Sequence, residues 1–141
     1  MTSIVVIDSV KSNRKILEKI IETIDENIAV HSFESAVAAL GWLSNQSPDL
    51  VITDYKTPPL NGLELAHRLR VKSQRTPILM ITMAEDLALP LFAREAGITA
   101  FLRRPVDHQI VRNRIISLLA QQNKQRRLKL VIDNSPVPGR T

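Results

Sequence analysis

The chain has 141 residues, of which 44% are hydrophobic, which suits one globular domain with a sizeable core. Aromatic residues make up only 4%, so Ile, Leu, Val and Ala must build that core, and the absence of cysteine excludes disulfides, thiolate chemistry and Cys-based zinc sites. The formal net charge is +5, and it is concentrated late: residues 103–129 hold eight Lys or Arg and one acid, Asp107. No aromatic residues interleave with these cations, so the run reads as a solvated helix face leading into a linker, and nucleic acid is not expected as a partner of this domain. Apolar runs are too short to span a membrane, and the first residues lack the pattern of a signal peptide, so no membrane partner and a cytoplasmic location are expected.

In chain order, Ile4-Val5-Val6-Ile7 is an apolar run ending at Asp8, as expected of a parallel strand covered on both faces. Ile16, Leu17, Ile20, Ile21 and Ile24 recur at helical spacing. Residues 29–33 read as a second strand. Ser35 is a candidate N-cap for a helix carrying Val37, Leu40 and Leu43. Leu50-Val51-Ile52-Thr53 predicts a third strand ending at Asp54, followed by a loop of turn residues from Thr57 to Gly62. Leu65 and Leu69 mark a third helix, with His67, Arg68 and Arg70 near its end, where cations suit the helix dipole. Ile78-Leu79-Met80-Ile81 forms a fourth strand ending at Thr82. Residues 87–96 read as a fourth helix, with Pro90 in its first turn and Gly97 as its stop. Ala100-Phe101-Leu102 is a short fifth strand, and a fifth helix starts near Asp107, with Val111, Ile115, Leu118 and Leu119 facing inward.

Strict β–α alternation predicts an α/β fold, an open doubly wound five-stranded parallel sheet in the flavodoxin-like order 2-1-3-4-5 with helices on both faces. Residues 1–121 are assigned to this domain. Residues 122–141 read as a basic, then Pro/Gly-containing C-terminal extension or linker.

Ligands of such sheets bind beyond the carboxyl ends of the strands. There Asp8 and Asp54 would converge, since strands one and three are neighbours. Two carboxylates about 5 Å apart repel by about 3 kcal/mol at an effective dielectric near 20, a cost relieved by protonation or a cation. An oxygen-only, partly hydrated site suits Mg²⁺ or Mn²⁺. With a hydroxyl from Thr82 and a cation from Arg104, the set holds the ingredients of phosphoryl transfer to a carboxylate. His31, His67 and His108 are scattered and make no ligand set. Phe101, on its chemistry alone, reads as core.

Over residues 3–120 the sequence resembles the receiver domains of bacterial two-component response regulators. The resemblance is carried by the run ending at Asp8, by Asp49-Leu50-Val51-Ile52-Thr53-Asp54 with Pro58 and Asn61-Gly62-Leu63-Glu64, by Pro77 through Thr82, and by Ala96-Gly97, Phe101 and Arg104-Pro105-Val106-Asp107. It implies a phosphoacceptor domain that takes a phosphoryl group from a histidine kinase or phosphotransfer protein onto Asp54, with Mg²⁺. It implies that Asp8, Asp54 and the backbone carbonyl of Lys56 hold the metal, that Thr82 and Phe101 form a switch pair, and that Arg104 stands where the family has lysine. The chain departs from the family at Ser9, where a second acid is usual, at Met83, where a small residue is usual, and at Arg104 itself. A signalling domain is therefore expected rather than a turnover enzyme, acting on an output domain or effector protein, with a homodimer allowed. Two other readings stand beside it: a degenerate receiver used as a phosphorylation-independent interaction module, and a flavodoxin-like cofactor binder. The second is disfavoured by a first loop, Asp8-Ser9-Val10-Lys11-Ser12-Asn13, that lacks glycine.

Overall fold

The computed structural model describes residues 1–73 and 75–134. The apolar runs form β1 (Ser3–Ile7), β2 (Ala29–Phe33), β3 (Leu50–Thr53), β6 (Ile78–Thr82) and β7 (Ala100–Arg103). These five strands are all parallel, in the order β2-β1-β3-β6-β7, which is the doubly wound arrangement expected from the alternation. The turn-rich loop after β3 is more regular than expected: β4 (Lys56–Thr57) and β5 (Leu60–Asn61) pair as a small antiparallel hairpin.

The strands separate two apolar layers by their period of two. Val5, Ile7, Val51, Ile78 and Met80 face one layer, completed by α2 (Ala36–Leu43), α3 (Gly62–Lys72) and α4 (Leu89–Glu95). Ile4, Val6, Leu50, Ile52, Leu79 and Ile81 face the other, closed by α1 (Lys11–Ile24) and α5 (His108–Asn134). Burial on both faces explains why β1, β3 and β6 read as unbroken apolar runs.

Ser35 caps α2, its hydroxyl accepting from the Ala38 N–H at 3.2 Å, and Asn61 and Glu64 form a reciprocal capping box at the start of α3. Gly97 stops α4 with φ of +96°, the left-handed conformation that favours glycine. Pro90 lies in the first turn of α4, where its missing N–H costs nothing.

Helical faces were read less well than helix positions. Ile16 and Val37, which marked the helical spacing of α1 and α2, are exposed at 41% and 52%, while Ala36 and Ala39 are buried in α2. The largest difference is in α5, which continues unbroken to Asn134, so that residues 122–134 of the expected extension prolong a helix of the domain. Its Pro- and Gly-containing portion, from Ser135 onward, lies outside the described residues.

Candidate functional site

β1 and β3 are paired up to Ile7 and Thr53, and their ladder continues one step further, with the Asp54 N–H donating to the Ile7 carbonyl at 3.0 Å. The next residues, Asp8 and Asp54, therefore stand side by side at the carboxyl edge of the sheet. Asp8 is 1% exposed. Its Oδ1 accepts from the Val10 N–H at 2.8 Å and from Asn13 Nδ2 at 3.4 Å. Asp54 Oδ1 accepts from the Tyr55 N–H at 2.6 Å.

The second oxygen of each carboxylate turns toward the same cation. Arg104 Nη2 lies 3.4 Å from Asp8 Oδ2, and Arg104 Nη1 lies 3.9 Å from Asp54 Oδ2 while donating to the Ile81 carbonyl at 3.1 Å. The guanidinium thus bridges the two acids, and it offsets the like-charge repulsion of the pair. Its separated donors make this possible; a lysine ammonium is a single point charge. The pairing spans 96 residues of sequence. It depends on β7 lying two strands from β3, which brings the segment after β7 back over the sheet edge.

Thr82 is 1% exposed at the end of β6, and its Oγ1 accepts from the Ala84 N–H at 3.2 Å. Ser9, Asp54, Lys56, Thr82, Met83 and Arg104 all line one cleft of about 520 Å³. Asp8 lies against Arg104 at this edge. Met83 is 70% exposed on the cleft wall. Phe101 is not part of the cleft: it is partly buried against the layer that holds α2, α3 and α4.

Gly62 supports the site from below. A Cβ there would stand 2.6 Å from the Asp54 carbonyl oxygen and 2.6 Å from Met80 Cε, and its N–H donates to Tyr55 O at 2.7 Å. Only a residue without a side chain lets the hairpin loop lie this close to the Asp54 backbone.

Three contributors were not singled out from the sequence. Asn13 bonds the Asp8 carboxylate, Arg14 Nη1 donates to the Asp8 carbonyl at 2.6 Å, and Arg103 reaches across to the segment after β6. Asn13 and Arg14 had a usable signal, since they lie five and six residues after Asp8, in the first turn of α1. Arg103 had none beyond its place in a basic run.

A mixed donor set of two carboxylates, a hydroxyl and nearby carbonyls suits a hard divalent cation that keeps several waters. Among the described residues no group of three or more His, Cys, Asp or Glu side chains forms a metal cluster. The carboxylate pair is a donor set that fits Mg²⁺, and Arg104 faces the same oxygens.

This geometry is that of a receiver domain, and comparison with known proteins agrees. The model of the response regulator receiver domain matches residues 4–116, and the chain belongs to that family. Phosphorylation and Mg²⁺ binding are general features of the family, whose members interact with histidine kinases and output domains. The chain is 36% identical over 135 residues to the cyclic di-GMP phosphodiesterase response regulator RpfG of Xanthomonas campestris pv. campestris, a match covering 91% of this chain and 36% of that protein. It is 26% identical over 119 residues to a chemotaxis protein CheY homolog of Campylobacter jejuni, covering 82% of this chain and 91% of that one. A CheY-like receiver domain structure from Methanospirillum hungatei superposes with a TM-score of 0.81 at 23% identity, over 89% of this chain and 98% of that one. The chain thus spans about a third of the length of RpfG and 27% of the Escherichia coli transcriptional regulator NtrC, another relative. No helix among the described residues is long and apolar enough to cross a membrane.

Proposed function

We propose that Asp54 is the phosphoacceptor of this receiver domain. The observation that carries the reading is the Asp54 carboxylate, 15% exposed at the cleft, set beside Asp8 and faced by a guanidinium that also reaches Asp8. An Asp54 oxygen attacks the phosphorus of a phosphohistidine on a kinase or phosphotransfer protein. The P–N bond breaks, a P–O bond to the carboxylate forms, and the leaving imidazole takes up a proton. Arg104 neutralises charge on the phosphoryl oxygens, and the Thr82 hydroxyl donates to one of them. Mg²⁺, or Mn²⁺, would be held by Asp8, Asp54 and the Lys56 backbone carbonyl, and supplies further charge neutralisation at the phosphoryl group. The domain turns over no substrate of its own and acts in the cytoplasm as a switch. The face formed by α4, β7 and α5 meets an output domain, an effector protein or a second copy, with Thr82 and Phe101 carrying the change to it.

Incubation with acetyl phosphate and Mg²⁺, followed by intact mass, tests the assignment. Wild type is expected to gain one phosphoryl group and Asp54→Asn none. A gain that persists in Asp54→Asn removes Asp54 from the role, and no gain in wild type favours the phosphorylation-independent interaction module.

A further inference from the structure

We infer that Arg103 is a positioning residue that clasps the segment after β6 in its unphosphorylated arrangement, so that phosphorylation must work against it. This inference rests on the reading of Asp54 as phosphoacceptor.

Arg103 ends β7 and lies two residues after Phe101, so both side chains leave the same face of the strand. Its guanidinium carbon sits 5.5 Å from the centroid of the Phe101 ring, within range of a cation–π contact. From there it forks to two carbonyls of segment 83–88: Nη1 donates to Ala84 O at 2.7 Å, and Nη2 donates to Asp86 O at 3.2 Å. Among the described residues the only other side chain from outside this segment that bonds it is that of Thr82, at the end of β6. Its other ties are local: the Ala84 N–H donates to Thr82 Oγ1, the Ala88 N–H to Asp86 Oδ1, and the carbonyls of Asp86 and Ala88 accept from the first turn of α4.

The Ala84 residue is therefore gripped at both ends. Its N–H is bonded to the Thr82 hydroxyl and its C=O to Arg103. When Thr82 turns its hydroxyl toward a phosphoryl group on Asp54, Ala84 must follow or let go. Following pulls its carbonyl from the guanidinium. The same guanidinium covers the Phe101 ring, so a change of the ring's position also disturbs the clasp. One side chain thus restrains both members of the Thr82–Phe101 pair. A contact present only in the resting arrangement lowers the fraction of molecules competent for the phosphoryl group, and with it the apparent affinity.

Beryllofluoride with Mg²⁺ serves as the phosphoryl mimic, titrated by NMR into wild type, Arg103→Ala and Arg103→Lys. Arg103→Ala is expected to bind it about tenfold more tightly. Its thermal midpoint should be equal or lower, a combination that a merely structural arginine would not produce. Lysine keeps the charge but cannot fork to two carbonyls, so Arg103→Lys should fall between the two. Without the mimic, amide exchange across residues 84–88 is expected to rise about tenfold in Arg103→Ala, because the segment loses its tie to β7. Equal or weaker mimic binding in Arg103→Ala overturns the inference, and so does unchanged exchange. Failure of wild type to bind the mimic, or equal binding by Asp54→Asn, defeats the phosphoacceptor reading instead, while the exchange comparison still decides whether Arg103 holds the segment.

Discussion

The two ends of the parallel sheet use the same chemistry to opposite effect. At the carboxyl end, Arg104 faces Asp8 and Asp54 at 3.4 and 3.9 Å beside an open cleft of about 520 Å³. At the amino end, Asp49 is 4% exposed and tied into the backbone. Its Oδ2 accepts from the Ser3 N–H at 2.8 Å, its own N–H donates to Ser3 O at 2.8 Å, and its Oδ1 pairs with Arg126 of α5. Arg70 is likewise committed there, donating to Gly97 O from Nε and Nη2 at 3.0 and 2.7 Å and to Thr76 O at 2.7 Å, and burial lowers the pKa of its guanidinium. Asp49 has one oxygen on a backbone N–H and the other on Arg126, away from the cleft, so it stabilises. Asp8 and Asp54 also hold one oxygen on a backbone N–H, but the other faces a long, shared ion pair at the cleft, a partner that can be traded for a metal or a phosphoryl group at small cost.

The contrast can be broken most sharply at the acids themselves. Asp54→Asn is expected to abolish phosphoryl incorporation while changing the unfolding free energy by less than about 1 kcal/mol, as judged by intact mass and urea unfolding. Asp49→Ala should do the reverse. It leaves the part-buried Ser3 N–H without its acceptor, so a loss of about 1–3 kcal/mol in urea unfolding is expected, with phosphorylation retained by the fraction that folds. If Asp49→Ala destabilises no more than Asp54→Asn, the division between structural and exchangeable carboxylates is wrong.

Gly62→Ala probes how the exchangeable end is supported. The added methyl meets the Asp54 backbone oxygen as well as the end of the Met80 side chain, and the backbone cannot easily give way, so about 1–3 kcal/mol of destabilisation and slower phosphorylation are expected together. Unchanged phosphorylation by acetyl phosphate would show that the approach of the hairpin loop does not shape the cleft.

The metal sharpens the comparison further. With Ser9 in place of a second acid and Arg104 on both carboxylates, Mg²⁺ should bind weakly, and Ser9→Asp should tighten it by about tenfold in calorimetry at fixed ionic strength. Equal affinities would remove Ser9 from the metal shell. The smallest effect is expected at Arg126→Ala. Arg126 is half exposed, so its pair with Asp49 contributes about 1 kcal/mol or less. Amide exchange over residues 122–134 would nonetheless report whether that pair holds the end of α5 against the domain.

Much of the carboxyl end was legible in the sequence, because strand ends are local features. An apolar run followed by Asp8 or Asp54 places the acid at the sheet edge whatever the helices do, and β–α alternation makes the strands parallel. Thr82 followed from the same logic. The failures have equally local causes. Val37 misled because α2, a helix of mostly apolar residues with Ala36, Ala39 and Leu43 buried, carries too little polarity contrast to mark its inner face, whereas Ile16 lies at the edge of the α1 stripe that buries Leu17, Ile20 and Ile21. The continuation of α5 was hidden by polar and basic residues, which read as linker yet have good helix propensity.

By itself the sequence determined the order of the five parallel strands and five helices, the cap at Ser35, the stop at Gly97 and the four residues at strand ends, Asp8, Asp54, Thr82 and Arg104. Each depends on patterns a few residues long. Only the tertiary structure decided what the arginines do. Arg70 was read as a favourable charge at a helix end, but its guanidinium binds the backbone 27 residues away. Arg103 and Arg104 are neighbours in one basic run, yet one holds a loop by its carbonyls and the other bridges two acids. A long cationic side chain finds its partners through space, and most of those partners are backbone carbonyls that every residue carries. No residue type along the chain marks them until the fold brings them within reach.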